Sequence, residues 1–83
     1  MNDNERYILL GLGDVASSLS GYIKYAVFST KAAMEELESP RADHARIKTA
    51  LEIAVDYLSL ATDRNNELPD WLDDLRKELT KNE

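Results

Sequence analysis

The sequence predicts an all-α fold: a long antiparallel helical hairpin with a short C-terminal helix, associating into a dimeric helical bundle. Three observations carry that reading. Apolar residues return every three or four positions from Tyr7 to Leu37, over about eight helical turns. The same period resumes from Ile47 to Ala61, after a break at Ser39 and Pro40. A third segment opens at Pro69 with acidic residues first and basic residues last, the order a helix dipole favours. The 83 residues read as one domain, residues 1–83, with helices near 4–38, 40–65 and 69–81 and a turn at 39.

The first helix begins where Asn2 and Glu5 stand at capping-box spacing, with Asp3 as a rival cap. Ile8, Leu12, Val15, Leu19, Tyr22 and Ala26 form its buried stripe, and Leu9, Ala16, Ile23, Val27, Met34 and Leu37 run beside it. Gly11 and Gly13 each cost ~1 kcal/mol inside a helix. They either admit another backbone at close range or break the helix at Asp14. The apolar phase holds from Ile8 through Val15, which favours continuity. Further along, Gly13, Ser17 and Gly21 make a ridge of small residues suited to close packing, with a second subunit as one candidate. Tyr22 to Leu37 is expected to pair with the second helix.

Glu35, Glu36 and Glu38 give the end of this helix the unfavourable sign for its dipole. Ser39 as N-cap and Pro40 at the first helical position are expected to start the second helix, with Arg41, His44 and Arg46 neutralising the acidic end. Its core stripe is read as Ile47, Leu51, Ala54, Leu58 and Ala61, beside a second stripe of Ala50, Ile53, Tyr57 and Leu60. Folded back, it reaches about Gly13 or Asp14. Residues 63–68 read as a loop. The third helix offers Leu68, Leu72, Leu75 and Leu79 with Trp71, an edge expected over Ile8, Leu9 and Leu12.

A chain this small buries only roughly 60 to 65% of its unfolded surface. It has no cysteine, which removes disulfides and thiolate metal sites and fits a reducing compartment, read as the cytoplasm. Apolar rows on both sides of a two-helix layer are better buried by a second copy, hence the expected homodimer.

The formal charge is −6, concentrated in an acidic run of Glu52, Asp56, Asp63, Glu67, Asp70, Asp73 and Asp74 against Arg64 alone. Such a surface opposes nucleic-acid phosphates, and Arg41, Arg46 and Lys48 are too few to reverse that. It suits a protein partner with a basic surface. Tyr22, Tyr25, Phe28 and Trp71 are the apolar candidates for partner contact. A membrane helix is set aside because Asp14 and Lys24 fall inside the longest apolar stretch.

No catalytic, cofactor or metal site is expected. His44 is the one histidine, and the serines lie far from it along the first helix. Leu10-Gly-Leu-Gly-Asp14 lacks the strand, third glycine and lysine of phosphate-binding loops. Glu52 and Asp56 share a helix face without a cleft between them. The expectation is a small acidic helical interaction module, a non-enzymatic regulator or inhibitor of the phage or plasmid type that docks on a larger partner. The alternative is a self-associating structural subunit or chaperone of a larger assembly.

Overall fold

A computed structural model describes residues 2–81. Nine-tenths of these residues are helical and none is in a strand. Three helices follow one another: α1 (Asp3–Glu38), α2 (His44–Asn65) and α3 (Leu68–Lys81). Among the described residues, no helix is long and apolar enough to cross a membrane.

Helix α1 starts as its spacing predicts. The Asn2 side chain accepts a hydrogen bond from the Glu5 backbone N–H at 2.8 Å, and its amide nitrogen lies 3.4 Å from the Glu5 carboxylate. The helix then runs through Gly11 and Gly13 without a break. It ends at Glu38, where the Ser39 N–H turns back to the Glu36 carbonyl at 3.1 Å.

The start of the second helix differs from the sequence reading. Ser39 is extended, as a residue before proline must be, and Pro40 lies outside any helix. Asp43 is the N-cap of α2, its carboxylate accepting from Ala45 N–H at 2.9 Å and Arg46 N–H at 3.4 Å. A helix opening at Pro40 would leave one residue to reverse the chain, and two helices lying side by side need a longer connection. Nor, among the described residues, do ion pairs neutralise the acidic end of α1. Glu36 accepts instead from the Asp43 backbone N–H at 3.0 Å, and Arg46 pairs with Asp43.

The expected loop at 63–68 shrinks to Asn66 and Glu67. Asn66 keeps helical dihedral angles, so α2 and α3 form in effect one bent helix. The bend has a local cause: Pro69 has no N–H to donate to the carbonyl four residues back.

Contacts run in reverse order along the two arms. Glu36 meets Asp43, Tyr22 meets Tyr57, Ser18 meets Arg64, and Tyr7 meets Trp71. A seven-residue repeat underlies this seam. On α2 and α3 it passes through Ile47, Ala54, Ala61, Leu68 and Leu75, and through Ala50, Tyr57, Arg64, Trp71 and Glu78, all buried or half-buried. Its phase survives the bend. On α1, Ile8, Val15, Tyr22, Ser29 and Glu36 keep the same interval. A strict seven-residue repeat is the pattern of helices that wind around each other at a shallow angle.

The result is a rod of 64 × 17 × 15 Å with a radius of gyration of 18.8 Å, against about 12 Å for a compact chain of this length. Small residues dominate its seam: Ala26, Ser29 and Ala33 on α1 and Ala54 and Ala61 on α2 are buried. Val15, at 2% exposure, is the largest side chain so enclosed. Small side chains let two helices approach closely, and they leave the large ones outside the line of contact. Leu51 and Leu58, expected in the core, are therefore exposed on the flank, and Leu9 escapes the cover of α3. Helix α2 also starts four residues late, and its end meets Ser18 rather than reaching Gly13.

Candidate interaction surface

The seam divides the large apolar side chains between two faces of the rod. One face collects most of them. On α1 it holds Leu9, Ile23, Val27, Met34 and Leu37, with Ala16 in the same row. On α2 it holds Leu51, Val55 and Leu58. Two shallow grooves show that these rows share one face. A groove of about 460 Å³ joins Leu37 to Ile47, Leu51 and Val55, and another of about 320 Å³ joins Ile23, Val27 and Met34 to Leu58. Leu72 and Leu79 fall seven-residue steps beyond Leu51 and Leu58, so α3 continues the row.

No charged residue stands in the α1 row from Leu9 to Leu37. The charges lie at its margins. Lys24 and Lys31 border the α1 edge near Val27, whereas Lys48, Glu52 and Asp56 border the α2 edge beside Val55. A long apolar face, uncharged along α1 and flanked by charged residues, has the composition of a protein interface, in which the centre loses charge and the rim keeps it.

The aromatic candidates separate. Tyr22 and Tyr25 both lie against Tyr57, with ring centroids at 6.3 and 5.3 Å, so much of their area is used within the chain. Trp71 packs against Tyr7 at 5.7 Å and over Gly11. Phe28 stands outward at 71% exposure, away from the seam, in a shallow groove with Lys24, Tyr25, Val27 and Lys31.

The acidic run separates as well. Glu52, Asp56, Asp63, Asp70 and Asp74 are exposed. Glu67 binds the Arg64 guanidinium at 2.8 Å, and Arg64 also donates to the Ser18 hydroxyl at 3.3 Å, tying the bend to α1. Asp73 accepts from Arg76 at 2.8 Å and pairs with Lys77 at 2.9 Å. Those hydrogen bonds from Arg76 and Lys77 hold the Asp73 carboxyl below the usual carboxylate range, and Asp73 in turn raises the Lys77 ammonium. Local pairing thus removes two members from a continuous negative ribbon.

Among the described residues, no close neighbour packs on the small-residue ridge from inside the chain. A Cβ on Gly13 or Gly21 would meet nothing within 4 Å, and Ser17 is exposed. Gly11 is the glycine at which close approach occurs, with the Trp71 ring directly over it. Arg64 is the position whose structural role the sequence reading passed over, whereas Gly11, expected to admit another backbone at close range, takes the Trp71 ring. The signal lay in the repeat, since Arg64 and Trp71 fall on the same seven-residue line as Tyr57.

Chemistry-bearing groups do not converge. His44 is exposed at the start of α2, and Glu52 and Asp56 lie along its open edge. Among the described residues, no group of three or more histidine, aspartate or glutamate side chains is placed to hold a metal ion. Comparison with protein-family models, curated proteins and solved structures finds no match to this chain.

Proposed function

We propose that this chain is a small non-enzymatic interaction module, an antiparallel helical hairpin that acts as a regulator or inhibitor by docking through its apolar face. One observation carries the reading: large apolar side chains from all three helices line a single face while small residues fill the seam. A chain selected only for its own stability gains by turning Leu51, Leu58 and Ile23 inward. Leaving them outward is explained by a partner that covers them. The reverse order of contacts along the two arms supports the hairpin description. Isolated His44 and the open setting of Glu52 and Asp56 support a role without catalysis. Exposed Asp63, Asp70 and Asp74 suit a partner with basic residues around an apolar patch. The cysteine-free composition fits action in the cytoplasm.

A second reading, a self-associating structural subunit or chaperone of a larger assembly, is favoured by the length of the face, which extends along most of the rod. Both readings use the same surface. Immobilised chain should retain a defined set of proteins that Ile23→Glu loses and Phe28→Glu keeps, with both variants helical by circular dichroism. Identical retention by the two variants would remove the apolar face as the working surface. Retention unchanged after reversing Asp63, Asp70 and Asp74 would remove the electrostatic part alone.

A further inference from the structure

We infer that the occupant of the apolar face is a second copy of this chain, related by a two-fold axis parallel to the rod, with α1 of each copy lying over α2 of the other. This rests on the reading of that face as the working surface, and it adds the partner and the symmetry.

Area points to a partner of this size. The chain exposes 6367 Å², whereas a compact monomer of its mass exposes about 5,000 Å². The excess, roughly 1,300 Å², is more than the ~800 Å² that each partner contributes to a standard stable interface. Shape points the same way. A partner must offer a narrow apolar face along much of a 64 Å rod, and this chain carries one.

Charge selects the symmetry. Tyr25 stacks on Tyr57, and Lys24 and Asp56 are the residues just before them, so these two charges stand at one level of the rod. Lys24 lies beyond Val27 on the outer side of α1, and Asp56 lies on the outer side of α2 between this face and the groove of Ile53, Tyr57 and Leu60. Lys31 lies two turns from Lys24 and Glu52 one turn from Asp56 in the same direction along the rod, within about 4.5 Å of a common level. Among the described residues none of these four makes an ion pair within the chain. A two-fold axis along the rod keeps every level and exchanges the margins. It sets Lys24 of each copy beside Asp56 of the other and brings Lys31 near Glu52. A two-fold axis across the rod stacks α1 on α1 and places basic margin against basic margin. The apolar rows supply the affinity in either case, and the margins decide the orientation.

Sedimentation equilibrium of the full chain at 10–100 micromolar tests the occupant. Twice the chain mass is expected, falling to the monomer mass for Ile23→Glu and unchanged for Phe28→Glu. Orientation is tested by oxidising a mixture of Lys24→Cys chains with Asp56→Cys chains, in a protein otherwise free of cysteine. A disulfide between the two variants, absent when each is oxidised alone, is the expected result. Cross-linking of Lys24→Cys to itself in place of the mixed product would overturn the axis. A monomer throughout the concentration range would overturn the second copy, and the broader reading would stand if Ile23→Glu still lost captured proteins. A dimer indifferent to Ile23→Glu would overturn both.

Discussion

Replacing Gly11 and Gly13 by alanine, one at a time, separates helix propensity from packing within a single turn of α1. Each change should gain ~1 kcal/mol from propensity, because alanine restricts the unfolded chain and suits a helix interior. At Gly13 nothing within the chain lies within 4 Å of the new Cβ, so the folding of the chain itself should realise the gain in full. At Gly11 the new Cβ would fall 2.5, 2.6 and 2.7 Å from three carbons of the Trp71 six-membered ring. Ordinary carbon contacts are at about 3.5–4.0 Å, so the ring must retreat by roughly 1 Å. Trp71 is a rigid bicycle already held against Tyr7, and overpacking of that kind costs about 1–3 kcal/mol. The propensity gain is common to both variants, and their difference should therefore equal the packing cost, about 1–3 kcal/mol. At roughly 4–8 °C per kcal/mol for a domain this small, Gly13→Ala should raise the Tm by about that amount. Gly11→Ala should fall below it by at least as much. Urea unfolding followed by helical circular dichroism, at one fixed protein concentration, measures the difference. Fluorescence of Trp71, the single tryptophan, reports ring displacement directly. Equal stabilisation by both substitutions with unchanged Trp71 emission would refute the close approach of α3 to Gly11.

Two further predictions concern the connections and the pH response. Asp43→Ala should cost ~1 kcal/mol through loss of the α2 cap, whereas Ser39→Ala should stay within about 0.5 kcal/mol, measured by the same urea unfolding. Because the folded Asp73 carboxyl sits below its unfolded value, its ion pairs stabilise α3 above the ordinary carboxylate range. That contribution is lost as pH falls through the depressed value. An NMR titration should place the Asp73 midpoint below that of free aspartate, and Asp73→Asn should flatten this part of the acid limb. Lys77 carries the opposite sign: its raised ammonium contributes at neutral pH and loses that contribution as pH rises through the shifted value. Both groups are solvent-exposed, so moderate salt should weaken the two effects together.

The sequence alone determined the helices. A period of three and four, glycine positions that keep phase, a capping pair at Asn2 and Glu5, and proline at 69 are local signals, and helix formation is decided locally. It also determined that apolar rows exceed what two arms need to cover each other. Which row became the seam was decided only by tertiary packing. Ile47, Ala54 and Ala61 turned inward and Leu51 and Leu58 outward, because alanine lets the arms approach where leucine holds them apart. Hydropathy ranks leucine above alanine for burial, and so it favoured the wider stripe. The start of α2 was settled in the same way: Ser39 and Pro40 form a valid local start, but reversing the chain takes the residues through Asp43. The proposed interaction surface follows from both levels. On α1 its residues are the second apolar row that the periodicity displays, whereas on α2 they include Leu51 and Leu58, read from the sequence as core and left facing outward by packing of the small-residue seam.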